Sequence, residues 1–203
     1  MRPKLLIATT SAGKLHEYRI LLKGVPFDLV SLSDAGIKTS VAEVGETFEE
    51  NVRLKAQTLA QESQLLTLAD DSGLEVDALG GEPGVMSARY AGENATDAER
   101  VSYLLAKLIG VPEEKRTARF RCVIAIARPD GRTEICSGEC PGLVTLEPRG
   151  EHGFGYDPIF FFSELGKTMA ELPVAIKNRV SHRGRAAKKA RRLLYRIAHE
   201  RDK

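Results

Sequence analysis

Tryptophan is absent from this 203-residue chain, aromatic residues make up only 6% of it, and cysteine occurs 3 times. Each shortage excludes something. Cys122, Cys136 and Cys140 are odd in number and form no C-x-x-C pair, which argues against a disulfide framework or a cysteine zinc site. Cys122 lies in the strand-like Phe120-Arg121-Cys122-Val123-Ile124-Ala125-Ile126, where a small thiol is expected to be buried. No apolar run approaches the ~20 residues that span a bilayer. The run after Met1-Arg2-Pro3-Lys4 is too short for a secretory signal, so a cytoplasmic protein with no membrane partner is expected. What remains, 42% hydrophobic and 29% charged, suits a globular chain long enough for one domain or two closely packed lobes.

The net charge of +2 conceals an imbalance. Residues 177–203 hold 11 Lys and Arg against Glu200 and Asp202 alone, which leaves the first 176 residues at −7. A basic segment on an acidic body suggests an anionic ligand, either nucleic acid or a small molecule. The blander reading is a solvated helix face.

Hydrophobic periodicity orders the chain. Lys4–Thr10 reads as a first strand, followed by a helix carrying Leu15, Tyr18 and Leu22 on one face, then by a strand at Phe27–Leu32. Glu46–Ser63 reads as a helix with Thr47 and Glu50 at capping-box spacing and Phe48, Val52, Ala56, Leu59 and Ala60 inward. Leu65–Ala69 is a buried strand that is expected to end in a turn at Asp70-Asp71. Thr96 or Asp97 caps a helix with Val101, Leu104, Leu105 and Leu108 facing the core. Arg119–Arg128 and Arg132–Glu139 flank the hairpin signal Pro129-Asp130-Gly131, and strand continues over Gly142–Glu147. A last helix runs over about Arg185–His199. Alternating elements followed by an antiparallel section give an α/β fold with a mixed twisted sheet flanked by helices.

Four polar clusters stand out from this scaffold. Thr9-Thr10-Ser11-Ala12-Gly13-Lys14, between a strand and a helix, offers hydroxyls, a flexible backbone and an ammonium at a helix N-terminus: a phosphate cradle without P-loop spacing. Glu43, Glu46, Glu49 and Glu50 form an acidic group, of which Glu43, in the loop before the helix, is the metal candidate. Asp70-Asp71-Ser72 is the third. Adjacent carboxylates repel, so they call for a divalent cation or a catalytic proton, the alternative being an Asx-turn. The fourth is distributed over Gly153-Phe154-Gly155-Tyr156-Asp157-Pro158, Lys177 and Ser181-His182-Arg183-Gly184. It supplies an aromatic to stack on a base and cations to meet carbonyl or phosphate oxygens.

Taken together, these segments, with Gly45-Glu46-Thr47-Phe48-Glu49-Glu50-Asn51, Gly80-Gly81-Glu82-Pro83-Gly84 and Ser87-Ala88-Arg89-Tyr90, resemble the inosine triphosphate pyrophosphatase family, the XTP/dITP diphosphatases. The resemblance covers nearly the whole chain. It implies one pyrophosphatase domain over residues 1–203, in two closely packed lobes with the active site in the cleft between them. It also implies a Mg²⁺-dependent hydrolase that splits non-canonical purine nucleoside triphosphates (ITP, dITP, XTP) into monophosphate and pyrophosphate. Asp71 then corresponds to the catalytic carboxylate and, with Glu43, to the metal ligands. Thr9, Thr10, Ser11 and Lys14 correspond to phosphate and ribose contacts, and Ser72 to a substrate contact. Phe154, Gly155, Tyr156 and Asp157 correspond to the nucleoside wall, and Lys177, His182 and Arg183 to the donors at the base. Ser11 departs from the family's usual Asn and is shorter. A homodimer touching through Ser87–Tyr90 is implied as well. The rivals are a nucleic-acid module using Arg183–Arg201, disfavoured by apolar residues at helical spacing and few interleaved aromatics, and a diphosphatase for dUTP or methylated pyrimidines.

Overall fold

Residues 2–201 are described in a computed structural model. β1 (Lys4–Ala8) buries four of its five side chains and runs parallel to β2 (Asp28–Ser31) on one side. On its other side it runs parallel to β3 (Leu66–Val76), where Ala8 lies opposite Ala69 at the end of the ladder. β4 (Thr117–Ala127) and β5 (Thr133–Val144) follow, and β6 (Phe160–Phe162) and β7 (Lys167–Thr168) add antiparallel strands. The seven strands hydrogen-bond in the order β2-β1-β3-β4-β5-β6-β7, a mixed sheet as expected. Parallel neighbours require long crossovers, and these are supplied by α1 (Ala12–Leu21) and α2 (Phe48–Ser63).

The helices begin where their sequences cap them. Ser11 Oγ accepts the Lys14 amide at 3.3 Å to start α1. Thr47 and Glu50 form the expected capping box on α2, whose inward face is Phe48, Val52, Ala56, Leu59 and Ala60 together with Asn51. Thr96, rather than Asp97, is the cap of α3 (Asp97–Lys107), with Glu99 completing a second box. α4 (Val174–Val180) and α5 (His182–Arg201) end the described chain.

The chain divides into two compact units. The first contains the residues up to Asp71, Cys122–Gly138 and the residues from Arg183 onward, around a core of Leu5, Ile7, Tyr18, Leu68, Ile124 and Leu194. The second contains Ser72–Arg121 and Glu139–His182, around Leu74, Val76, Leu104, Val144, Phe160 and Phe162.

Besides shifts of a few residues at other ends, two boundaries near the carboxylates differ from the sequence reading. Asp70 and Asp71 do not form a turn: β3 runs through them to Val76, because both carboxylates are buried against polar partners and the backbone has no need to surface. α5 starts at His182 instead of Arg185, since burial of His182 and Arg183 outweighs the helix penalty of Gly184, about 1 kcal/mol.

Candidate active site

Successive strand residues point to opposite faces, so Asp70 and Asp71 meet different neighbours. Asp70 is 1% exposed, and its Oδ2 lies 3.1 Å from Lys14 Nζ and 3.5 Å from Arg183 Nη2. Burial alone would raise its pKa, but the Lys14, Arg183 and Lys55 charges outweigh that and hold it at about 2. Arg183 is itself fixed by Glu17 at 2.8 Å. Cys122 Sγ donates to Asp70 Oδ2 at 3.9 Å, and burial pushes this thiol up to about 12, so it stays protonated. With the thiol proton directed at Asp70, the Tyr18 hydroxyl, 3.8 Å from the sulfur, is the donor in that pair.

Asp71 has the opposite environment. Its Oδ2 accepts the Asn51 amide at 3.2 Å, and burial followed by the nearby Glu43 charge raises it to about 6. Asn51 Oδ1 in turn accepts the Gly45 amide at 2.7 Å. A Cβ on Gly45 would lie 2.8 Å from that oxygen, which explains the glycine at the head of Gly45–Asn51. Glu43 pairs with Lys55, whose Nζ also reaches the Asp70 carbonyl.

The oxygens of Asp71 and Glu43 are hard donors that repel each other, a combination that fits a divalent cation. Among the described residues no group of three or more Asp, Glu, His or Cys side chains is arranged to hold a metal ion. A hard divalent cation can be held by one or two carboxylates with its remaining positions filled by water and substrate oxygens, so a two-carboxylate donor set suffices.

The second unit holds an aromatic loop. Gly153 and Gly155 have φ of +81° and +63°, and a Cβ on Gly153 would come within 2.1 Å of Asp157 Oδ2. That oxygen accepts the Phe154 amide at 2.9 Å and pairs with the buried Lys177. Lys177 Nζ also sits 4.7 Å over the half-buried Phe154 ring. Tyr156 is a core residue, and its hydroxyl donates to the Ser87 carbonyl at 2.9 Å. His182 stacks on Phe120 with ring centroids 4.6 Å apart and planes 16° off parallel.

Of the expected residues, Lys14, Glu43, Asp71 and Arg183 gather in the first unit, where Thr9 and Ser11 form the turn into α1: Thr9 Oγ1 accepts the Ser11 amide at 3.2 Å. Thr10 is exposed beside them. Ser72, Phe154, Gly155, Tyr156, Asp157, Lys177 and His182 belong to the second. Arg183 thus leaves its sequence neighbour and joins the carboxylate cluster. Glu17, Tyr18 and Cys122 complete that cluster without a motif, whereas Asn51 and Lys55 follow the acidic group in the sequence and reach it from α2. Further bases of α5 are engaged within the chain, Arg191 with the Leu21 and Lys23 carbonyls and Arg196 with Glu134, and Glu200 of α5 pairs with Arg128 just after β4.

Known proteins share much of this sequence and this fold. A dITP/XTP pyrophosphatase of Geobacter sulfurreducens is 55% identical over 90% of this chain and 92% of its own. The dITP/XTP pyrophosphatase of Bacillus subtilis is 46% identical over 93% and 96%. The structure of a HAM1 protein from Coxiella burnetii superposes with a TM-score of 0.86 at 40% identity, covering 95% of this chain and 98% of that one. The model of the Ham1 family matches residues 5–193, and the chain belongs to that family.

Proposed function

We propose that this chain hydrolyses non-canonical purine nucleoside triphosphates (ITP, dITP, XTP) to the monophosphate and pyrophosphate, as one Mg²⁺-dependent enzyme built from residues 1–203. The observation that carries the reading is the split between neighbouring carboxylates: Asp70 is paired with the Lys14 and Arg183 cations, while Asp71 is held by the Asn51 amide and faces the like charge of Glu43. The kinship with dITP/XTP pyrophosphatases supports the substrate class.

Asp71 and Glu43 would hold the cation, which supplies charge neutralisation and orientation of the triphosphate. Asp71 takes the proton of the water that attacks the α-phosphorus, and pyrophosphate leaves with the electron pair of the broken P–O bond. Asn51 keeps the Asp71 carboxylate aligned. Lys14, at the start of α1, neutralises phosphate oxygens, with Asp70 fixing its ammonium. Thr9, Thr10, Ser11 and Ser72 contact phosphate and ribose. Phe154, with the loop that Gly155, Tyr156 and Asp157 shape, packs against the nucleoside.

Lys177 and His182 are the donors assigned to the oxygen at position 6 of hypoxanthine and xanthine, whereas Arg183, expected with them, is engaged by Asp70 and Glu17. An adenine amine at that place leaves donors unpaired, at about 1–3 kcal/mol each, or roughly 5–150-fold. The test is pyrophosphate release from ITP, XTP, GTP and ATP with and without Mg²⁺. The expected order is ITP and XTP first, GTP much weaker and ATP very poor, with His182→Ala narrowing the ITP/ATP ratio of kcat/KM. Wild-type cleavage of ATP equal to that of ITP rejects the base assignment.

A cytoplasmic homodimer completes the proposal. Ser87 is buried, but its chain neighbour Met86 is 46% exposed, and Tyr103 on α3 is 42% exposed. Tyr90 packs edge-on against Tyr103 at 5.1 Å, with Lys107 over both rings. Aromatic and Met side chains of this kind are enriched at protein interfaces. No helix among the described residues is long and apolar enough to cross a membrane.

A further inference from the structure

The 153–157 loop is held by two carboxylates, and only one of them lies within it. Asp157 Oδ2 accepts the Phe154 amide from inside, at 2.9 Å. The next amide, Gly155 N–H, donates at 2.7 Å to Asp97 Oδ2, a residue 58 positions away at the first turn of α3. Asp97 has no part in capping that helix, because Thr96 and Glu99 already satisfy each other in a capping box. Its other oxygen is engaged as well. Arg100 pairs with Oδ1 and also donates to the carbonyls of Ala88 and Ala95. A side chain 47% exposed is therefore fixed at both oxygens, and one of them points at a loop amide.

We infer that Asp97 is a positioning residue for nucleoside binding: it locks the glycine after Phe154 and so sets the plane that the Phe154 ring presents. The inference rests on the reading of Phe154 as a nucleoside contact. The physical need is clear. Gly155 has φ +63° and no side chain to pack, and it sits between Phe154 and the anchored Tyr156. Glycine is the residue with the most backbone freedom, so an unanchored amide here would let Phe154 sample several orientations. A charge-assisted bond to that amide removes the freedom before substrate arrives.

The test measures KM and kcat for ITP, and melting temperature, in wild type, Asp97→Ala, Asp97→Asn, Glu99→Ala and Phe154→Ala. Asp97→Ala is expected to raise KM on the order of tenfold, as loss of one hydrogen bond to a charged group implies, with kcat much less affected. Asp97→Asn keeps an acceptor oxygen and should restore most of the affinity. Glu99→Ala breaks the capping box on the same helix end, so it should lower the melting temperature and leave KM in place. If Phe154→Ala raises KM and Asp97→Ala does not, the inference is overturned while the nucleoside reading stands. Equal KM increases in Asp97→Ala and Glu99→Ala reduce the effect to helix fraying and also overturn it. An unchanged KM in Phe154→Ala removes the nucleoside reading and the inference with it.

Discussion

Asp70 and Asp71 are chemically identical neighbours in one strand, yet their substitutions should have opposite consequences. Asp71→Asn loses the proton acceptor and the metal-holding charge, so turnover is expected to fall on the order of 10²-fold or more. Its fold should not suffer. In the absence of metal the ionised Asp71 is disfavoured by burial and by Glu43, and the amide can still pair with its surroundings. Melting in EDTA no lower than wild type is the expected result. Asp70→Asn removes the counter-charge of two cations, one of them fully buried with it. Breaking a buried pair by deleting one partner costs about 3–5 kcal/mol, so this variant should melt well below wild type. Pyrophosphate release and thermal melts on both variants check the pair. A stable Asp70→Asn enzyme with normal turnover contradicts the role given to its charge.

At the scale of elements, the second unit relies on one guanidinium and on its helix caps. Arg116 is 5% exposed and donates to the carbonyls of Leu108 and Val111 at 2.9 Å each and of Thr145 at 3.2 Å, tying the end of α3 to the segment after β5. Arg116→Met leaves these carbonyls without that donor. The expected loss is about 3 kcal/mol, roughly 6–12 °C in Tm, readable by calorimetry. Acid should act on the caps. The Thr96 amide and hydroxyl hold Glu99 below the ordinary carboxylate range, and the Thr168 amide does the same for Glu171. A depressed folded pKa means that the stabilisation is complete above the unfolded value, about 4.3. It is lost as pH falls through the lower folded value. Melting temperature should therefore drop below about pH 4, and Glu99→Gln should flatten that drop.

At the scale of the molecule, the exposed Met86 and Tyr103, with the half-buried Tyr90 packed against Tyr103, lead to a test of assembly. Light scattering at micromolar concentration is expected to give about twice the 22.2 kDa of one chain, and Tyr103→Glu to return it to one. A wild-type mass of 22.2 kDa rejects the dimer.

The sequence by itself determined the mixed α/β class, both long capped helices, the β4–β5 hairpin and the residues worth examining. These follow from local physics: side-chain periodicity, caps that bond within four residues, and turn residues with their own φ preferences. Tertiary structure decided what those residues do. The Asp70-Asp71 pair reads locally as a turn, and only Lys14, Arg183 and Asn51, brought from α1, α5 and α2, allow the strand to continue and divide the two carboxylates into a fixed anion and a proton acceptor. Gly184 reads locally as a loop, and only the burial of Arg183 beside Glu17 makes it helix. Asp97 reads as a cap, and only its bond to Gly155 makes it an anchor for a distant loop. Electrostatic environment depends on distances between side chains far apart in the chain, and no local pattern encodes those distances.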